Sequence, residues 1–192
     1  MLKVMIVDNE IKRRKTLKQS LVDNGFEVIA HVENDMHLQA KCFELKPDIV
    51  IVDTDSPNRD TLKNICVMSM HDPRPVVMFT HDDDKEKIKV ATQAGVSAYV
   101  VGTISSERLT PVIDAAVARF EEFKSLRSEL NLAKLKLDER KVVERAKGLL
   151  MKQRGLDEEE AYDMLRSMAM KKNMKLADLS NQLIEAASML IV

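Results

Sequence analysis

Residues 48–57 read DIVIVDTDSP. Four β-branched residues follow one another without a polar interruption, then an acid, then turn-forming residues. A strand with one solvated face would alternate apolar and polar positions. This run does not, so both faces of its sheet must be covered. Similar runs stand at Lys3–Val7 (KVMIV) and Val76–Thr80 (VVMFT), with weaker ones at Glu27–Val32 and Ala98–Val101. Helix-period stretches separate them near Lys12–Asp23, Met36–Leu45, Arg59–Met70 and Lys85–Ala94, and Gly25 and Gly95 stand where a helix should stop. Five β-α units predict an α/β fold with a five-stranded, doubly wound parallel sheet. Ligand chemistry is then expected at the carboxyl ends of the strands.

The chain has 192 residues, which suits one domain of about 120 residues with a smaller appendage. Five glycines, five prolines and no tryptophan fit a helix-leaning protein. A net charge of −1 provides no global basic field, so any nucleic-acid binding needs a local patch. Cys42 and Cys66, each in an apolar helix-like segment, read as reduced thiols. No signal peptide and no membrane span are legible, and the expectation is a cytoplasmic protein.

Asp8 follows the first strand and Asp53 the third. A doubly wound sheet brings both carboxylates to one edge, and Thr80 faces the same crevice. Two acids and a hydroxyl suit a hard divalent cation beside a phosphoryl group, although acids at strand ends are also ordinary turn chemistry.

Between Pro111 and Gly148 the chain has neither proline nor glycine, which predicts one long helix. With Ala116, Phe123, Leu130 and Leu137 at heptad position a, position d holds Arg119, Leu126 and Ala133. In a parallel pair, Glu122 would meet Arg127 of a second copy, and Glu129 would meet Lys134. The pattern fits a dimerising coiled coil through residues 112–137 better than it fits the alternative, a long solvated helix with an apolar stripe. Residues 138–192 carry three shorter helical patterns, a small bundle. Gly155 ends the first, Asp157 and Glu160 form a capping-box start to the second, and Leu176, Leu179, Leu183, Ile184 and Leu190 mark the third.

Within that bundle, Lys141, Arg145, Gly148 and Lys152 recur at one helical face, with Arg140 and Lys147 beside it. A mid-helix glycine costs about 1 kcal/mol relative to alanine, so Gly148 asks for a reason. Tyr162 and Arg166 share a face of the next helix. Basic groups for phosphate, a bare glycine for close approach and an aromatic for stacking suit RNA. The same residues also suit an ordinary solvated face. A protein-interaction bundle using Met164, Met168, Met170 and Met174 is a further alternative. No nucleophile–base pair stands outside the acidic pocket, so an enzyme is not expected.

Two resemblances narrow these readings. Through IVDNE, VDTDSP and Thr80, residues 1–111 resemble the receiver domain of response regulators, which implies Asp53 as phospho-acceptor and Asp8 as a Mg²⁺ ligand. The chain departs from that pattern at Asn9, where a second acid is usual, and at VVGTIS, where Gly102 stands in place of a lysine. The loss of that cation implies a weak Mg²⁺ site at Asp8 and Asp53, no required cofactor, slow phosphorylation and control by a protein partner. RAKGLLMKQRGLDEEEAYDMLRSMAM resembles the ANTAR domain, the RNA-binding module of antitermination regulators. AYVVGTISSERLTPVIDAAVARFEEF is most similar to the nitrate and nitrite assimilation branch. The resemblance implies a homodimer that binds paired hairpins in leader RNA and is held by a ligand-sensing protein. It implies RNA contacts by Arg140, Lys141, Arg145, Lys147, Gly148, Lys152, Tyr162 and Arg166. A phosphorylation-dependent DNA-binding regulator is the competing expectation.

Overall fold

The computed structural model describes residues 1–8, 10–33, 38–102 and 105–189. The elements run β1 (Lys3–Asp8), α1 (Ile11–Asp23), β2 (Glu27–Val32), α2 (Leu38–Leu45), β3 (Ile49–Asp53), α3 (Arg59–His71), β4 (Val76–Thr80), α4 (Lys85–Ala94) and β5 (Ala98–Val101). Three helices follow: α5 (Ser106–Arg154), α6 (Glu158–Lys171) and α7 (Leu176–Met189). Two compact units divide the chain at Lys124/Ser125.

In the first unit five parallel strands lie in the order β2-β1-β3-β4-β5. Strand side chains point alternately to opposite faces, so each apolar run feeds two cores. Met5, Val7, Val50, Val52, Val76 and Met78 enter one core, shared with Leu38, Cys42, Leu62, Ile65 and Ala91 of α2, α3 and α4. Val4, Ile6, Ile49, Ile51, Val77 and Phe79 enter the other, with Leu17 and Leu21 of α1 and Leu109, Ile113 and Ala116 of α5. The unbroken runs of the sequence are thus those of a sheet covered on both sides, as expected. Cys42 is buried and Cys66 partly so, and both are free thiols. Gly95 closes α4 with φ of 108°, and a Cβ there would come within 2.3 Å of Ser69 Oγ, so this turn admits only glycine.

One helix, α5, runs 49 residues from the sheet into the second unit. The heptad reading needs a correction at its start. Ala116, placed at an a position of the seam, is buried in the sheet core with Leu109 and Ile113. The exposed seam therefore begins at Phe123 and continues through Leu126, Leu130 and Leu137.

The second unit packs the end of α5 with α6 and α7. Ala146, Leu150, Ala161 and Leu165 form its centre, joined by Met151, Met164, Leu176, Leu183 and Ile184. The start of α6 carries the expected reciprocal cap. Glu160 N–H donates to Asp157 Oδ1 at 2.8 Å, and Asp157 N–H donates to Glu160 Oε2 at 3.0 Å. Among the described residues no helix is long and apolar enough to cross a membrane.

Candidate functional sites: an acidic pocket and a basic helix face

Parallel pairing sets Asp8 of β1 directly beside Asp53 of β3. Asp8 is only 1% exposed. Its Oδ1 accepts the Glu10 N–H at 2.6 Å, while its Oδ2 is buried without a hydrogen-bond partner. Asp53 is half-buried. Burial pushes its carboxyl upward; the Arg13 guanidinium opposes that shift and the Asp8 charge adds to it. A bare, buried carboxylate oxygen next to a second carboxylate suits a hard divalent cation such as Mg²⁺. Asn9 lies outside the described residues, and among those described no cluster of three or more metal-ligating side chains exists.

Thr80 is buried at the end of β4, where its hydroxyl donates to the Asp55 carbonyl at 2.8 Å and accepts the Asp82 N–H at 3.2 Å. Gly102 turns the chain after β5 with φ of 94°, and nothing lies within 4 Å of the place a Cβ would take. This position supplies no charge. Among the described residues Arg13 of α1 brings a cation to the pocket, pairing with Glu10 at 2.7 Å and Asp55 at 2.5 Å. His81 Nδ1 stands 3.7 Å from the same Asp55 carboxylate. Sequence reading passed over Arg13, His81 and Asp55. The i,i+3 spacing of Glu10 and Arg13 was an available signal for the first.

Across the pocket rim, Asp82 accepts from Lys87 Nζ and from Ser56 Oγ, each at 2.5 Å. These bonds, Lys87 foremost, hold its carboxyl down at about 2. The Tyr99 hydroxyl donates to the Asp82 carbonyl at 3.0 Å, tying β5 to the same loop.

In the second unit Arg140, Lys141, Arg145, Gly148 and Lys152 are all exposed on α5, and Arg166 is exposed on α6. Tyr162 is 42% exposed. Around Gly148 a Cβ would meet nothing within 4 Å, so neither crowding nor a special backbone angle demands glycine. Lys141 contacts Asp138 at 3.4 Å, a loose surface pair.

Lys147 departs from the expected solvent-facing position. It is 7% exposed, and its ammonium is held by Glu144 at 2.8 Å and by Glu158 of α6 at 2.7 Å. Those hydrogen bonds, Glu144 first, raise its pKa. A lysine so occupied joins two helices and presents no free charge to phosphate.

The family model for the response regulator receiver domain matches residues 4–114, and that for the ANTAR domain matches residues 133–184. A relative in Mycobacterium tuberculosis, the transcriptional regulatory protein PdtaR, is 30% identical over 95% of this chain and 89% of its own. The chain belongs to the ANTAR response regulators.

The chemotaxis protein CheY of Listeria monocytogenes aligns with the receiver half of this ANTAR regulator alone, at 30% identity over 60% of the chain and 98% of CheY. Among solved structures, a CheY-like receiver domain from Methanospirillum hungatei shares the fold, with a TM-score of 0.56 and 20% identity. It covers 64% of this chain and 98% of that one. The regulatory character of the family accords with a pocket of acids and a separate helical unit.

Proposed function

We propose that this ANTAR regulator acts in transcription antitermination by binding paired hairpins in nascent leader RNA, so that a terminator cannot form. The observation that carries the reading is the exposed face of Arg140, Lys141, Arg145 and Lys152 around the unfilled Gly148, within the ANTAR match. Side chains reach phosphate oxygens there, and the missing Cβ lets backbone approach the nucleic acid. Tyr162 and Arg166 offer planar groups for an unpaired base.

The apolar seam of Phe123, Leu126, Leu130 and Leu137 supports a homodimer formed within residues 112–137. Two ANTAR units on one dimer would engage two hairpins at once, so that weak single contacts gain from effective concentration. The similarity of residues 98–123 to the nitrate and nitrite assimilation branch supports genes of that process as the target. Control is assigned to a ligand-sensing partner protein, because Gly102 brings no cation to Asp53 and Arg13 is engaged by Glu10 and Asp55. Where Mg²⁺ binds, Asp8 and Asp53 would hold it, and it would neutralise charge on a phosphoryl group.

A binding comparison tests the proposal: a two-hairpin leader RNA against duplex DNA of the same sequence, at two salt concentrations. RNA preference that falls at least about tenfold in Arg166→Ala, with the helical spectrum retained, is the expected result. Equal binding to duplex would assign the second unit to DNA instead. For the input, incubation with a small phosphodonor and Mg²⁺ should leave Asp53 largely unlabelled, and stoichiometric labelling abolished by Asp53→Ala would overturn control by a partner protein.

A further inference from the structure

A cavity of about 540 Å³ lies between α3 and α4. That volume is within the range of pockets that hold small organic molecules. Every residue of its walls falls between positions 57 and 94, all of them described. The apolar part of the wall comes from Leu62, Cys66, Val90 and Ala94. Leu62 and Ala94 are buried, whereas Val90 is 46% exposed, an apolar side chain that the fold leaves uncovered.

Three cations line this cavity, Arg59, Lys63 and Lys87, against one acid, Glu86. Lys87 is occupied, its Nζ donating to Asp82 Oδ2 at 2.5 Å and to Ser56 Oγ at 2.8 Å. Among the described residues Arg59, Lys63 and Glu86 form no ion pair. Asp60 and Asp84 of the neighbouring first turns lie outside the walls, as do Lys85 and Lys89. Asp84 is spent on capping α4, where it accepts the Glu86 N–H at 2.9 Å. Arg59 opens α3 and Lys63 follows one turn later. Like charges at that spacing repel, and a cation in the first turn also opposes the helix dipole. An anion in contact with both would relieve each cost. A carboxylate accepts from the guanidinium fork and from the ammonium alike. A bare inorganic anion would use the two cations and leave the apolar wall uncovered. Hydrocarbon alone would cover the wall and leave the cations unpaired.

We propose that the cavity between α3 and α4 binds a small organic carboxylate, its anionic group on Arg59 and Lys63 and its hydrocarbon body against Leu62, Cys66, Val90 and Ala94. The site shares no wall residue with the cavity beside Asp53. It also stands independently of RNA binding, because every residue in it belongs to the first unit.

Cys66 reports occupancy from within the wall, since Cys42, the other cysteine, is fully buried. The full chain is titrated with sodium hexanoate at constant ionic strength, and alkylation of Cys66 by iodoacetamide is followed by peptide mass. Saturable slowing is expected, with half-saturation about tenfold or more below that of 1-hexanol. Hexyltrimethylammonium, with the opposite charge, should protect less than hexanol does. Arg59→Gln combined with Lys63→Gln should raise the hexanoate value about tenfold, toward that of hexanol. Slowing that does not saturate, equal potency of hexanol or hexyltrimethylammonium, or undiminished potency in the double variant would each overturn the proposal. If the double variant does not retain the native helical spectrum, the contrast between hexanoate and hexyltrimethylammonium on the unaltered chain decides it.

Discussion

Asp8 and Asp53 lie far apart in sequence and become neighbours because β1 and β3 pair in register, whereas Lys141, Arg145 and Lys152 are neighbours because one helix turns every 3.6 residues. The acidic pocket thus depends on a whole sheet with a core on either face. The basic face needs only a helix, held in place by the few buried residues around Ala146, Leu150, Ala161 and Leu165. Topology gathers buried carboxylates at the first site, while periodicity leaves charge solvated and available at the second. The pocket is therefore suited to receiving a signal and the helix face to touching a polyanion.

The largest test of that contrast removes a core side chain from each region. Leu165→Ala and Ile51→Ala, both at fully buried positions, should each cost about 3 kcal/mol. The small bundle has little else to hold it, so Leu165→Ala should abolish RNA binding while the sheet still unfolds cooperatively. Ile51→Ala should lower the stability of the sheet with RNA binding by the second unit preserved. Denaturant unfolding followed by RNA titration separates the two. Loss of RNA binding in both variants would mean that the basic face depends on the sheet.

A smaller effect sharpens the role of the helix face. Gly148→Ala should stabilise the second unit by up to about 1 kcal/mol, since the helix gains propensity and the new methyl meets nothing. RNA affinity should fall in the same variant. Unchanged affinity would leave close backbone approach at this glycine without support.

The smallest effect probes the pocket. Burial keeps the Asp53 carboxyl protonated to higher pH than in the unfolded chain. The native state therefore binds more protons in that window, and stability falls as pH rises through it. Asp53→Asn removes the cost, so its melting temperature should exceed that of the unaltered chain by about a degree or two at pH 7. The gain should vanish once the pH drops below the ordinary carboxylate range. A lower melting temperature at pH 7 would show that Asp53 is well compensated after all.

Most of the sheet was legible because a parallel strand covered on both faces has an unmistakable composition, as DIVIVD shows. The capping box at Asp157 and the stop at Gly155 were equally readable, since both act within one helical turn. Legibility failed where a residue's partner comes from another element. Lys147 lies beside the basic stripe on a helical wheel, yet Glu158 of the next helix captures it. Ala116 fits a heptad, but a heptad does not say whether the covering surface is a second helix or a sheet. Arg13 and His81 converge on Asp55 from separate segments, and no local spacing links all three.

The sharpest single measurement is the salt dependence of binding to a two-hairpin RNA for the unaltered protein, Arg145→Ala and Lys147→Met. Each phosphate contact contributes a little under one unit, about 0.7–0.9, to the slope of log affinity against log salt. Arg145→Ala should lower the slope by about that amount. Lys147→Met should leave it unchanged while lowering the melting temperature by a few degrees, roughly the consequence of losing the tie to Glu144 and Glu158. An equal loss of slope in Lys147→Met, with Arg145→Ala unaffected, would contradict the assignment of RNA contact to the exposed face.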